Sequence, residues 1–217
     1  IRKEVAAEEF SLLNFYERRS RRILPAFVVM LTIVLSVSFF VVLPSAFKGV
    51  GRSVTSSALS VSNVLFWAED GYFAAASEEK PLLHTWSLGV EEQFYILLPL
   101  LIVWIGSGRR GVKVLAICGI ASFLFSTWQV RFYPSAAFFL LPARAWELLL
   151  GSILTTVPTK AVSSRLRNAM SLCGLFAILY GSWAYSVGTS FPGENALLPC
   201  VGAAAVILGT SEGLASQ

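Results

Sequence analysis

The sequence predicts an all-α protein, a polytopic bundle of transmembrane helices. Three observations predict it. Hydrophobic residues make up 55% of the 217 positions and charged residues only 14%, against about 25% charged in ordinary soluble domains. The mean hydropathy is +0.68. Apolar runs near the roughly 20 residues needed to cross a bilayer recur along the chain, and aromatic rings often sit at their ends, where amphipathic side chains favour the interface. The lipid bilayer is therefore the first expected partner, and no nucleic-acid partner is expected.

Hydropathy places spans at residues 23–43, 86–105, 112–130, 136–157 and 169–187, with a shorter sixth run at 196–210. Charges orient them. Arg18, Arg19, Arg21 and Arg22 precede the first span, Arg109, Arg110 and Lys113 follow the second, and Lys160, Arg165 and Arg167 follow the fourth. The alternate loops carry only Lys48, Arg52, Lys80 and Arg131. By the positive-inside rule the arginine-rich loops are cytoplasmic and His84 lies on the opposite side. The residues 54–68 are moderately apolar but short and rich in serine. If they spanned, the basic clusters would no longer share a face. They read as an amphipathic or re-entrant helix within the longest outer loop, 44–85. Cys118, Cys173 and Cys200 lie in apolar runs with no CxxC pair and no nearby histidine. They read as small core residues, with no disulfide framework and no metal site.

Ionised side chains inside these spans are the candidate functional residues, because a charge at the bilayer centre costs roughly 2.5–3.5 kcal/mol on insertion scales. Glu91 and Glu92 enter the second span from its outer end. Arg144 and Glu147 share a face of the fourth at i,i+3. Arg144 sits about eight residues in, roughly 12 Å deep at 1.5 Å per residue. Glu91 and Glu92 are expected at similar depth, where neighbouring helices could pair them, and Arg144 is expected within ion-pair or single-water distance of Glu91, Glu92 or Glu147. The set reads either as a structural ion pair or as a polar pocket open to the outer water. Pro99 and Pro142 lie in the same two helices and free carbonyls there.

The arginine cluster also has two readings. It is a topology signal that attracts anionic lipid, or a phosphate clamp. Arg18 with Arg22, and Arg19 with Arg22, fall on one helical face, where two guanidiniums can hold phosphate bidentately. Both are expected to be solvated, and Pro25 is expected near the helix start. His84, the only histidine, sits beside Trp86. It reads as an interfacial anchor or, less simply, as a general base. No Ser-His-Asp spacing, Walker loop, dinucleotide-binding glycines or zinc pattern occurs.

Several separated stretches resemble the integral-membrane acyltransferase family three. FYERRSRRILPAF resembles its cytoplasmic arginine motif, here Arg19, Arg22, Ile23 and Pro25. SNVLFW with GYF, and above all PLLHTWSLGVEEQFYILLP, resemble its central motif. LPARAWELLLGSIL resembles its R-x-WE-x-x-x-G helix, here Arg144, Trp146, Glu147 and Gly151, and FPGENALLPCVGAAAVI resembles a later segment of the polysaccharide-modifying branch.

The resemblance implies a multi-pass protein of the cell inner membrane. It would transfer an acyl group, usually acetyl, from acyl-CoA to hydroxyls of a cell-surface glycan such as O-antigen or peptidoglycan, with no bound cofactor. It places Arg18, Arg19 and Arg22 at the donor, and Glu91, Glu92, Arg144, Glu147 and His84 at or around the catalytic cavity. Residues 1–217 are expected to be the central part of that domain and inactive alone, the family's essential histidine belonging to an earlier helix. The alternative function is a non-catalytic transporter or flippase-like protein for a lipid-linked glycan, which intramembrane charges and proline-broken helices would also suit.

Overall fold

The computed structural model describes residues 4–5, 9–70, 80–106, 108–157, 163–186 and 188–210. Lys160 and the GYF stretch at 71–73 lie outside the described residues. The protein is all-α, without strands among the described residues. Its helices are α1 (Leu12–Val41), α2 (Pro44–Ala58), α3 (Ser62–Asp70), α4 (Thr85–Ile105), α5 (Arg109–Phe132), α6 (Pro134–Phe139), α7 (Leu141–Leu154), α8 (Ser164–Ala184) and α9 (Leu197–Thr210), with a 3₁₀ turn at Gly193–Ala196. Five segments are long and apolar enough to cross a membrane: Leu12–Val41, Thr85–Ile105, Arg109–Phe132, Pro134–Leu154 and Gly193–Thr210. The protein is a multi-pass membrane protein. Large apolar side chains such as Val29, Ile33, Phe40, Trp104 and Trp183 face outward, as a lipid solvent favours.

The chain divides into two compact units, residues 1–111 with 139–141, and residues 112–138 with 142–217. In the first, α1 starts at the N-cap Ser11, whose hydroxyl accepts from the Asn14 amide at 3.4 Å. Pro25 thus lies inside the helix and not at its start. The arginine cluster is part of the same continuous helix, because Ser11 supplies the cap about two turns before Arg18 and Arg21 bonds Glu17 across i,i+4 at 2.7 Å.

The segment 54–68 is helical and is not among the candidate spans, but it is two helices and not one. The break is at Ser60, in the left-handed region with φ 57°. Pro44 opens α2, a favoured first-turn position. Ala58 and Ser60 line one cleft with Ile23, Leu24 and Phe27 of α1, so α2 folds back along α1 as a re-entrant arm. Glu69 bonds Lys80 and lies 3.9 Å from Arg52.

Helix α4 runs antiparallel to α1. Tyr16 bonds the Ile96 carbonyl, Arg19 meets Glu91 and Glu92, and Leu88 shares a cleft with Ile23 and Leu24. As one number rises the other falls. Arg19 is level with Glu92, eight residues along α4 from His84, roughly 12 Å at 1.5 Å per residue, which is short of the roughly 30 Å core expected to separate the arginine cluster from His84.

The predicted fourth span is bent at Leu140, two residues before Pro142, giving α6 and α7. Ser122 of α5 repairs the backbone there. Its hydroxyl donates to the Pro142 carbonyl at 2.6 Å and accepts from the Trp146 amide at 3.0 Å, bridging the two ends of one helical i,i+4 pair. The predicted span 169–187 is α8, which is not among the five apolar segments, because Arg165, Arg167 and Asn168 occupy its first turns. The shorter sixth run takes that place instead. Helices α8 and α9 pack closely enough that a Cβ on Gly174 would lie 2.5 Å from the Gly202 carbonyl oxygen.

Candidate functional site

The acidic pair of α4 belongs to Arg19. Arg19 Nε donates to both oxygens of Glu92 at 3.2 Å, Nη2 donates to Glu92 Oε1 at 2.7 Å, and Nη2 reaches Glu91 Oε1 at 3.2 Å. The guanidinium carbon lies 3.5 Å from the centre of the Tyr95 ring, a cation–π contact that also shields it from solvent. The Arg19 side chain is 16% exposed, Glu92 22% and Glu91 44%. Glu92 is therefore the fixed partner, and Glu91 keeps one oxygen toward open space.

The partner within this unit is Arg19, which the sequence reading had not put forward for Glu91 and Glu92. Sequence depth was counted from the outer end of the span, but α1 and α4 cross antiparallel with Arg19 level with Glu92. The cluster is a junction between the arginine motif and the central motif. Arg19 is not solvated, as had been expected of it. The other arginines differ. Arg18 bonds the exposed Glu4 at 3.0 Å. Arg22 is exposed and has no polar partner among the described residues.

The central motif folds around this junction for identifiable reasons. A Cβ on Gly89 would lie 3.1 Å from Asn63 Oδ1 and 3.3 Å from Ser62 Oγ, so glycine lets α3 approach α4 closely. Asn63, fully buried, donates to the Phe139 carbonyl at 3.1 Å. Gln93 Nε2 donates to Asn63 Oδ1 at 2.8 Å and to the Ser60 carbonyl at 3.0 Å. Ser57 and Thr85 share a hydrogen bond at 2.8 Å, and Ser62 donates to the Thr85 carbonyl at 2.9 Å. These bonds fix the tip of the re-entrant arm against α4. A cleft of about 90 Å³ remains beside the junction, lined on α1 by Arg19, Ile23, Leu24 and Phe27, with Ala58 and Leu88 opposite.

Arg144 and Glu147 form their own pair within α7, with Nη1 to Oε1 at 3.3 Å and side chains 12% and 23% exposed. Arg144 also lies over the rings of Phe138 and Phe191, at 5.3 and 5.5 Å. The expectation that Arg144 has an acidic partner among Glu91, Glu92 and Glu147 is met by Glu147. His84 is exposed at the start of α4 with no side-chain capping bond, about two turns before Glu91 and outside the junction.

Asn63, Gln93, Tyr16, Tyr95 and Ser122 carry the geometry and were not singled out from sequence. Asn63 and Gln93 had a signal: amides beside apolar runs need partners when buried. The hydroxyls had none, since serine and tyrosine are ordinary at helix ends.

As chemistry, the junction holds one cation between two carboxylates. Arg19 cannot act as a base. Glu91, the more exposed carboxylate, is the group with spare acceptor capacity toward a ligand.

Comparison with known proteins matches residues 6–216 to the model of an acyltransferase domain family. An uncharacterized protein of Haemophilus influenzae is 28% identical over 223 residues, covering 96% of this chain and 91% of that protein. A putative membrane-bound transacylase, BcsY, of Komagataeibacter xylinus is 25% identical over 95% of this chain and 53% of its own length. The peptidoglycan O-acetyltransferase OatA of Listeria monocytogenes is 28% identical over 79% of this chain and 29% of its own length. The chain thus spans about half of the transacylase and under a third of the acetyltransferase. No solved structure matches.

Proposed function

This chain belongs to acyltransferase family three and is an acyltransferase of the membrane; we propose that it transfers an acetyl group from acyl-CoA, at the cytoplasmic face of the inner membrane, to hydroxyls of a cell-surface glycan. In this reading residues 1–217 are the central part of a longer domain. The transporter alternative falls away with family membership. The observation that carries the donor assignment is the state of the arginine helix. Arg19 is locked to Glu91 and Glu92, whereas Arg22, about 60° from it around the helix at ~100° per residue, is exposed and free to meet phosphate.

Transfer breaks the thioester C–S bond and forms a C–O bond to the acceptor. The thiolate leaves with the bonding pair, and the acceptor hydroxyl gives up its proton to a base. By the family resemblance that base is a histidine of an earlier helix, not His84. Arg22, with Arg18 beside it, holds donor phosphate. Arg19, Glu92 and Glu91 shape the donor site, and Arg144 with Glu147 gives α7 a polar face suited to a hydroxyl acceptor.

The test is acetyl transfer by the full-length protein in membranes, with acetyl-CoA varied and protein abundance measured. Loss of bonds to charged phosphate costs about 1.5–3 kcal/mol each, so Arg22→Ala should raise the KM for acetyl-CoA roughly tenfold or more at normal abundance. Arg22→Lys should recover part of that, lacking only the bidentate fork. Unchanged acetyl-CoA dependence in Arg22→Ala, or transfer from a donor without CoA, overturns the donor reading.

A further inference from the structure

We propose that the cleft between α1 and the re-entrant arm receives the acyl chain of the donor and sets the chain length accepted. The inference rests on the reading that the donor is an acyl thioester, and it names where the acyl group sits.

The cleft is built in two levels. Tyr16, Arg19, Ser20, Ser60 and Glu92 form a polar rim, and Ile23, Leu24, Phe27, Ala58 and Leu88 form an apolar floor. An acyl group has the same division, with a carbonyl at one end and methyl or methylene groups at the other. The hydroxyls of Ser20 and Ser60 have no hydrogen-bond partner among the described residues and are placed to donate to such a carbonyl. A phosphate or sugar would leave the apolar floor unused.

The size points to a short chain. The cleft has a volume of about 90 Å³. Drug-sized ligand pockets run to about 300–1,000 Å³. The walls are held in place. Gln93 bonds the Ser60 carbonyl, and Ser57 and Ser62 bond Thr85, so the arm cannot retreat without breaking buried hydrogen bonds. Ala58 is the small residue on the arm, and Phe27 is the bulky one on α1. Together they define how far a chain can extend.

The experiment uses the full-length protein in membranes, with acetyl-, butanoyl- and hexanoyl-CoA as donors. A methylene in an apolar pocket discriminates by about 10–200-fold, so Phe27→Ala should raise the hexanoyl-to-acetyl transfer ratio at least about tenfold. Ala58→Leu should depress acetyl transfer by about as much. An unchanged ratio in Phe27→Ala, with the protein present at normal level, overturns the proposal.

A second arm does not depend on the carrier. Ser60→Cys, in a background with Cys118, Cys173 and Cys200 replaced by alanine, is reacted with methyl, butyl and octyl methanethiosulfonate. Methyl and butyl reagents should react, octyl should react about tenfold more slowly, and Phe27→Ala should restore it. Equal rates for all three reagents overturn the proposal even if acetyl-CoA is the donor. A length cut-off that persists while no acyl-CoA supports transfer overturns the donor reading and supports a short-chain pocket served by another carrier.

Discussion

Between α1 and α4 the helices meet through charged and polar side chains, whereas α8 and α9 meet nearly backbone to backbone. The first contact is Arg19 with Glu91 and Glu92, extended by Tyr16 to the Ile96 carbonyl and by Gln93 to Asn63. The second is Gly174 against Gly202, with a Cβ on Gly209 falling 2.1 Å from Ser171 Oγ. Lipid gives helices no hydrophobic reason to associate, so polar bonds and close packing of small residues are the two means available. The α1–α4 contact uses the former, and the α8–α9 contact relies on the latter. The difference matters because polar contacts can line a cavity and bind a ligand, and glycine contacts cannot. The cleft lies beside the polar junction.

The largest expected effect is the loss of Arg19. Arg19→Ala leaves Glu92, and in part Glu91, without a counter-charge at a half-buried site. Removing one partner of a buried pair costs 3–5 kcal/mol, and the partial exposure of Glu91 puts this case near about 3 kcal/mol. Reversible unfolding in bicelles measures it. The double variant Arg19→Ala with Glu92→Gln should cost less than the sum of the singles, because the two share one interaction. Additive losses would mean the junction is not a unit.

Next comes the glycine contact. Gly174→Leu places a side chain where the Gly202 carbonyl stands, and overpacking of this kind costs about 1–3 kcal/mol. The loss should be confined to the second unit. Site-specific proteolysis or cysteine accessibility at α8 and α9 would reveal it, with the Arg19 junction unchanged. An equal disturbance at Glu92 would erase the distinction between the two regions.

The amide network should come third. Asn63→Leu removes the bonds to Gln93 and to the Phe139 carbonyl, and interhelical polar bonds in membranes average about 0.6 kcal/mol with a maximum near 1.7. About 1 kcal/mol is expected in the same unfolding assay. Transfer activity should fall further than stability does, because the arm that walls the cleft is released.

The smallest stability change is expected at the other charged pair. Arg144 takes a carboxylate from its own helix, one turn on, so the pair ties no two helices together through that bond. Replacing both ends, Arg144→Leu with Glu147→Leu, should alter stability by no more than about 1 kcal/mol, since apolar replacement of a paired set is often neutral. Glu147→Leu alone should cost more than the double change. A double variant as damaging as Arg19→Ala would show that Arg144 holds the fold in the way Arg19 does.

Much of this was legible in residue order. Apolar runs fixed the all-α membrane class because lipid demands internally satisfied backbone and apolar exteriors. The charge asymmetry of the loops set the arginine cluster and the head of α4 apart, whereas Arg19 and Glu92 meet. The cost of burying carboxylates marked Glu91 and Glu92, and the i,i+3 spacing marked Arg144 with Glu147, a local pair that helical geometry alone brings together.

Long-range partners were another matter. A sequence gives depth along each helix, yet not which helices adjoin or how each is rotated. That is why Arg19 was not named as the partner of Glu91 and Glu92, which it holds. The Ser122 bridge to the bent backbone at Pro142 and the re-entrant turn at Ser60 depend likewise on a neighbour that is remote in sequence. Composition and spacing determined the class, the spans and the charged residues, because those follow from solvent and from helical period. Only the tertiary structure decided which charges meet and where a cleft remains, because both depend on the packing of helices from distant parts of the chain.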